Sequence, residues 1–345
     1  MKKILTLLLA CAILMTVACS ALADIYEENS FIKKIPMKPK YTEACDENGT
    51  VERLTYTAHS YALEAIASGD FTFCLSNDGS HNAPEIPAGL LPEAGTDIMV
   101  EKELYVYLPY GYTPDKEYNV IYVMHGGGDN AGYWLTEDGM GRGTLSVLDN
   151  MVKRGECEDT IIVTPTFYSN PGDPMEYTFA SSAWPCYFFM ELKNDIIPLV
   201  ESTYSTYAKG DVSEENLIAT RDHRAYAGLS MGSATSLNSV MMHCLDVVSW
   251  VGSFSGALCD FDAFKAALNA DGYRDYPVNF WYNGNGSADM AHDEHDVFFH
   301  TVLEQMPDRF VDGENACWVE FKGGSHAYNC WLPHLYNCLT VFFKD

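Results

Sequence analysis

Arg224-Ala225-Tyr226-Ala227-Gly228-Leu229-Ser230-Met231-Gly232-Ser233-Ala234-Thr235-Ser236 is the stretch on which the fold turns. A short run able to form a buried strand leads into Gly-x-Ser-x-Gly, and small residues suited to a packed helix follow it. A strand that reverses into a helix over so few residues leaves no room for side chains on either flank. That accounts for glycine at both 228 and 232. The serine between them is held in a strained backbone conformation, with its hydroxyl pushed out over the sheet edge. The amide that follows, Met231 N–H, points at the same spot and is a candidate oxyanion donor.

Outward from this turn, short apolar runs alternate with amphipathic stretches. Strand-like runs lie at Val51–Tyr56, Lys102–Leu108, Asn119–Met124, Thr160–Val163, Ala225–Ala227, Val247–Val251, Val278–Tyr282 and Cys317–Phe321. Helical periodicity marks Glu191–Tyr204, Ser233–Cys244, Asp262–Ala270, His295–Gln305 and Trp331–Phe343. Buried strands alternating with helices predict an α/β fold, with a mostly parallel central sheet covered by helices on both faces. No internal repeat or second composition regime interrupts the pattern, so residues 45–345 read as one domain.

A serine hydroxyl is a poor nucleophile without a base, and the order expected for this architecture is serine, acid, histidine. His326 follows the Cys317–Phe321 strand in Gly323-Gly324-Ser325-His326, where glycines let a loop carry the imidazole back over the serine. None of the other nine histidines combines a glycine loop after a strand with that chain order. The acid is expected after Val278–Tyr282. Asp289, the first carboxylate beyond Asn283-Gly284-Asn285-Gly286-Ser287-Ala288, is the choice, with Asp293, Glu294 and Asp296 as rivals at the start of a helix. Its role is to accept from His326 Nδ1–H and stabilise the imidazolium. A second oxyanion donor is expected from His125-Gly126-Gly127-Gly128 after the Asn119–Met124 strand, with Gly127 N–H in that role.

Other chemistries fit less well. Lys plus Arg total 21 against 48 Asp plus Glu, a net charge of -27 that repels phosphates, excludes nucleic acid as a partner and argues against anionic membranes and coenzyme-A-type substrates. No Gly-x-Gly-x-x-Gly follows a strand with an acid some twenty residues on, so no dinucleotide cofactor is expected. His292, His295 and Asp296 have helical metal-ligand spacing, but no further cluster completes a site, and no metal is expected.

In combination these motifs resemble the feruloyl and acetylxylan esterases of carbohydrate esterase family 1, within the esterase-D-like α/β-hydrolases. The matching pieces are YLPYGYTPDKEYNVIYVMHGGG (Tyr107–Gly128), DIIPLVESTY (Asp195–Tyr204), HRAYAGLSMGS (His223–Ser233) and GGSHAYNCW (Gly323–Trp331). They span about Val51 to the carboxyl end. The resemblance implies a secreted serine esterase, with Ser230, His326 and Asp289 as its triad, acting on acyl groups of plant polysaccharide such as xylan. The turn before Asp289 is longer than the Gly-Thr-x-Asp turn usual in the family. Siderophore esterases and acyl transferases share the fold, and a non-catalytic glycan-binding module is the competing class. Trp134, Trp184 and Trp331 are candidates to stack on sugar or phenolic rings, against the plainer reading of core or rim packing. The acyl group and the oligomeric state are not legible.

The amino terminus has the anatomy of a secretory signal. Lys2 and Lys3 precede an apolar run from Ile4 to Val17, too short to span a membrane, and Ala21-Leu22-Ala23 supplies a cleavage site. Residues 1–23 read as the signal and 24–44 as an extended, polar leader. The alternative is lipidation at Cys19. Nine cysteines remain after cleavage, an odd number at irregular spacing that suits buried small hydrophobes better than a disulfide framework. Sequencing the amino terminus of exported protein is expected to begin at Asp24, whereas a lipid on Cys19 would establish the alternative.

Overall fold

A computed structural model describes residues 39–68, 93–168 and 183–344. The signal, most of the leader and Cys74 lie outside the described residues. Eight strands form one sheet: β1 (Thr50–His59), β2 (Met99–Leu108), β3 (Asn119–Met124), β4 (Thr160–Thr164), β5 (Arg224–Leu229), β6 (Trp250–Phe254), β7 (Phe280–Gly286) and β8 (Ala316–Phe321). Their order is β1-β2-β4-β3-β5-β6-β7-β8. Strand β2 runs antiparallel to both β1 and β4, and every other pairing is parallel. This is the α/β arrangement expected, with β5 near the middle.

Helices α1 (Tyr61–Ser68), α2 (Gly141–Arg154), α3 (Ala183–Glu191), α4 (Ile197–Thr203), α5 (Glu214–Ala219), α6 (Met231–Thr235), α7 (Phe261–Leu268), α8 (His292–Gln305) and α9 (Tyr328–Leu339) cover the sheet. A π-helical turn, Leu192–Ile196, joins α3 to α4, and another, Ser236–Met241, continues α6. Strand β3 shows why its apolar run has no polar alternate: Val120, Tyr122 and Met124 enter one core, and Ile121 and Val123 enter the other. Both faces of Val120–Met124 are covered, so the run carries no alternating polar residue.

Differences from the sequence reading have local causes. Strand β6 begins at Trp250 rather than Val247, because pairing Ala225 with Trp250 through Leu229 with Phe254 carries it up to the serine turn. Strand β7 runs through Asn283-Gly284-Asn285-Gly286, which reads as a turn. Its glycines are dictated by close approach: a Cβ at 284 would collide with the His334 ring and one at 286 with the Gly324 carbonyl. Helices α1, α2 and α5, and all of α3 but Glu191, lie outside the helical stretches expected from the sequence. The end of the stretch expected to be an extended leader is instead docked, since Pro39–Thr42 form a 3-10 turn and Tyr41 is fully buried, bonded to Glu156.

Beneath the sheet's central strands Arg224 is buried against Glu201, Nε to Oε1 at 2.7 Å, with side chains only 1% and 2% exposed. The guanidinium also donates to Leu217 O, Val247 O and Thr220 Oγ1. Removing one member of a buried pair strands the other in a low-dielectric interior. Glu201→Ala is therefore expected to cost about 3–5 kcal/mol in urea unfolding. Glu103→Ala, which breaks the exposed pair with Arg53, should cost under about 1 kcal/mol. Equal costs would show that burial is not what makes the Arg224 pair matter.

Candidate active site

Ser230 sits between β5 and α6 with φ 52 and ψ -115, in a region that non-glycine residues avoid. Two backbone bonds hold it there, Ser230 N–H to Phe254 O at 2.8 Å and Ala234 N–H to Ser230 O at 3.0 Å. A Cβ at 228 would strike the Gly232 carbonyl, and one at 232 would lie 2.5 Å from His125 O. The glycines are therefore required by close approach of backbone, as the tight turn implied.

The three residues expected to work together are brought together. His326 Nε2 lies 3.0 Å from Ser230 Oγ, and its Nδ1 lies 2.8 Å from Asp289 Oδ1. The imidazole comes from the loop after β8, in which Gly323 adopts φ 74 and Gly324 N–H donates to Phe321 O. Asp289 comes from the turn after β7. The two loops are tied directly by Ala288 N–H donating to Gly324 O at 2.9 Å. Trp331 stands edge-on to the His326 ring, centroids 5.1 Å apart, and its Nε1–H donates to Ser255 Oγ at 2.8 Å.

Asp289 has a fully buried side chain. Burial alone would raise its pKa, but hydrogen bonds from His326 and Ala291 N–H, with a smaller contribution from Ser255, hold it below the ordinary carboxylate value. Its Oδ2 makes no hydrogen bond of ordinary geometry, so the Ser255 contribution is the weaker kind. Asp293 and Asp296 instead face His292 and His300. None of the hydrogen bonds described joins Asp293, Glu294 or Asp296 to His326.

The loop after β3 packs against the serine turn: a Cβ on Gly126 would touch Ser230 Cβ, and one on Gly127 would lie 3.1 Å from Met231 Cγ. Gly128 N–H donates to Tyr168 OH at 2.9 Å. No hydrogen bond among the described residues uses Gly127 N–H or Met231 N–H, which leaves both amides for a ligand oxygen. Asp129, at the loop's end, has its carboxyl pushed up to about 6 by burial.

His292 and His295 do not share a site. His292 contacts Asp293 and Glu320, while buried His295 donates to Asn283 Oδ1 and accepts from Gly256 N–H. Trp134 and Trp184 are buried in the two cores, which removes them as stacking platforms. Of the eight described cysteines, six are buried. Sequence reasoning missed Thr166, Tyr168 and Ser255. Of these only Ser255 left a signal, a small polar residue before Gly256 at the carboxyl end of a strand, where it adopts φ 55.

Residues 97–309 match the Esterase family model, well over half of the chain. The chain belongs to this family of carboxylic-ester hydrolases and has the α/β-hydrolase fold. It is 39% identical over 287 residues to endo-1,4-beta-xylanase Y of Acetivibrio thermocellus, covering 76% of this chain and 24% of that protein. The chain thus spans about a quarter of that relative's length. A feruloyl esterase module from Clostridium thermocellum, solved with sinapinate, superposes with TM-score 0.68 at 26% identity, covering 92% of this chain and 95% of that one. A CE1 ferulic acid esterase from Anaeromyces mucronatus shares the fold, with TM-score 0.60 at 22% identity over 89% of this chain and 96% of that one. The resemblance to carbohydrate esterase family 1 holds.

Three buried histidines give the structure a pH signature. Burial lowers His125 to about 4, and His295 and His334 to about 3. Each is neutral when folded but titrates near 6.5 when unfolded, so its stabilisation is complete above about 6.5 and lost as pH falls toward the folded value. Asp129, raised to about 6, has the opposite sign and offsets one of them. Urea unfolding is expected to show lower stability at pH 5 than at pH 7, by about 1–2 kcal/mol per histidine before that offset. Stability at pH 5 equal to or above that at pH 7 would contradict the neutral, buried state of these rings.

Proposed function

We propose that this chain is an exported feruloyl-type esterase that hydrolyses acyl esters on plant cell-wall polysaccharide such as xylan, with Ser230, His326 and Asp289 as its triad. The observation that carries the reading is the relay from Ser230 Oγ through the His326 ring to Asp289, built on a serine at positive φ. The relatives named above support the substrate class, since they are a xylanase and feruloyl esterases.

The reaction follows from the positions. His326 Nε2 takes the proton as Ser230 Oγ attacks the ester carbonyl carbon. The carbonyl oxygen gains the negative charge and is received by the Met231 and Gly127 amides. Asp289 fixes the Nδ1–H tautomer and stabilises the imidazolium. The tetrahedral adduct collapses, His326 gives its proton to the departing sugar oxygen, and an acyl-serine remains. Water, deprotonated by His326, repeats the sequence and releases the acid. Trp331, edge-on to the His326 ring and backed by Tyr133, gives this side of the site an apolar wall suited to an aromatic acyl group.

The test is a panel of methyl ferulate, acetylated xylan and p-nitrophenyl acetate with wild type, Ser230→Ala and Asp289→Asn. Ferulate release is expected from wild type. Ser230→Ala should lose activity by orders of magnitude with its fold intact, and Asp289→Asn should lose about 10⁴ in kcat through the wrong tautomer. Asp293→Asn and Asp296→Asn should stay near wild type. Acetate release without ferulate release would favour an acetyl esterase, and activity retained in Ser230→Ala would remove the triad.

A further inference from the structure

We propose that His125 is a positioning residue that sets the direction of the Gly126–Gly127 peptide and so keeps the Gly127 N–H aimed into the oxyanion site. The inference rests on the serine-esterase reading above and adds a residue to it. His125 is the first residue after β3 and is buried. Its Nδ1 lies 2.7 Å from Gly126 O, and its Nε2 lies 2.8 Å from Thr166 Oγ1. A carbonyl only accepts, so Nδ1 carries the hydrogen and donates it. In a neutral ring Nε2 must then accept from the Thr166 hydroxyl. The tautomer is thus dictated from both sides.

Gly126 O and Gly127 N–H belong to one planar trans peptide and point in opposite directions. Holding the oxygen on the His125 side turns the amide toward the serine turn. Glycine on both sides of that peptide leaves it free to rotate, so without the imidazole a flipped peptide that withdraws the amide is accessible. Asp129 N–H also reaches Gly126 O, but at 3.4 Å it is the weaker restraint.

The segment after β4 braces this arrangement. Phe167 and Tyr168 pack against the His125 ring, with centroids 4.7 and 5.7 Å away, and Tyr168 OH accepts from Gly128 N–H. Thr166 O accepts from buried Lys102, whose ammonium is paired with Glu191 at 2.6 Å. Thr166–Tyr168 therefore grips the glycine loop at two points, through His125 and through Tyr168.

Two variants separate this role from plain packing. His125→Asn keeps an N–H donor at the Nδ1 position, in reach of Gly126 O. His125→Gln keeps a polar group near Thr166 but has no donor there. On p-nitrophenyl acetate, His125→Gln is expected to lower kcat about 10²-fold, the scale of one lost oxyanion donor, with KM within twofold. His125→Asn should recover at least tenfold of that loss. Thr166→Val, which frees the tautomer, should lower kcat at unchanged KM and serves as the test if His125→Gln loses its native circular dichroism. Equal activity in the Asn and Gln variants, a loss confined to KM, or a Thr166→Val variant indistinguishable from wild type would overturn the proposal. Wild type and Ser230→Ala run alongside keep the questions apart: an inactive wild type, or an active Ser230→Ala, defeats the esterase reading instead.

Discussion

Everything at this site depends on the turn that forces Ser230 to φ 52 between two glycines pressed against backbone. A non-glycine residue in that region costs on the order of 1–3 kcal/mol, and the surroundings must over-determine it. They do so from both neighbouring strands. Phe254 O, at the end of β6, accepts the serine's own amide, and the His125 carbonyl, at the end of β3, crowds the position of Gly232. The turn therefore fixes where the adjacent loops leave the sheet as well as where the hydroxyl points. It also starts α6 at Met231.

The loops at the carboxyl edge are braced by backbone bonds rather than by long side chains. Ala288 N–H to Gly324 O joins the acid turn to the histidine loop, and Ser255 N–H to Gly284 O joins β6 to β7 just below them. Behind this rim lies a layer of neutral polar rings and amides: His334 over Gly284, and His295 between Asn283 and Asn285. Desolvation keeps both rings uncharged. A protonated ring there would place a charge behind Asp289, the buried carboxylate that accepts from His326.

The residues legible in the sequence were those whose signal is local. Gly228-Leu229-Ser230-Met231-Gly232 states its own turn, Gly323-Gly324-Ser325-His326 its own loop, and Asp289 is simply the first carboxylate past a strand. What stayed hidden depends on partners far along the chain. Asn283-Gly284-Asn285-Gly286 has the composition of a turn and forms a fully buried strand. Its amides are answered by a histidine on α8, and its glycines are required by a histidine on α9 and a loop carbonyl. Thr166 and Tyr168 look like ordinary residues after β4 until the glycine loop is laid against them. Helix α1 and the docked Tyr41 flank segments whose composition reads as loop or leader. For Trp134 and Trp184 the plainer reading holds, since both serve the two cores.

The central claim is that Ser230 is a nucleophile activated by His326. The measurement that tests it most directly is covalent labelling with a fluorophosphonate, read by mass spectrometry of the digested protein. The account predicts one adduct, on the peptide carrying Ser230, with hydrolysis lost in proportion to labelling and labelling suppressed in His326→Ala. An adduct on another residue, or none in a protein that still hydrolyses esters, would contradict it.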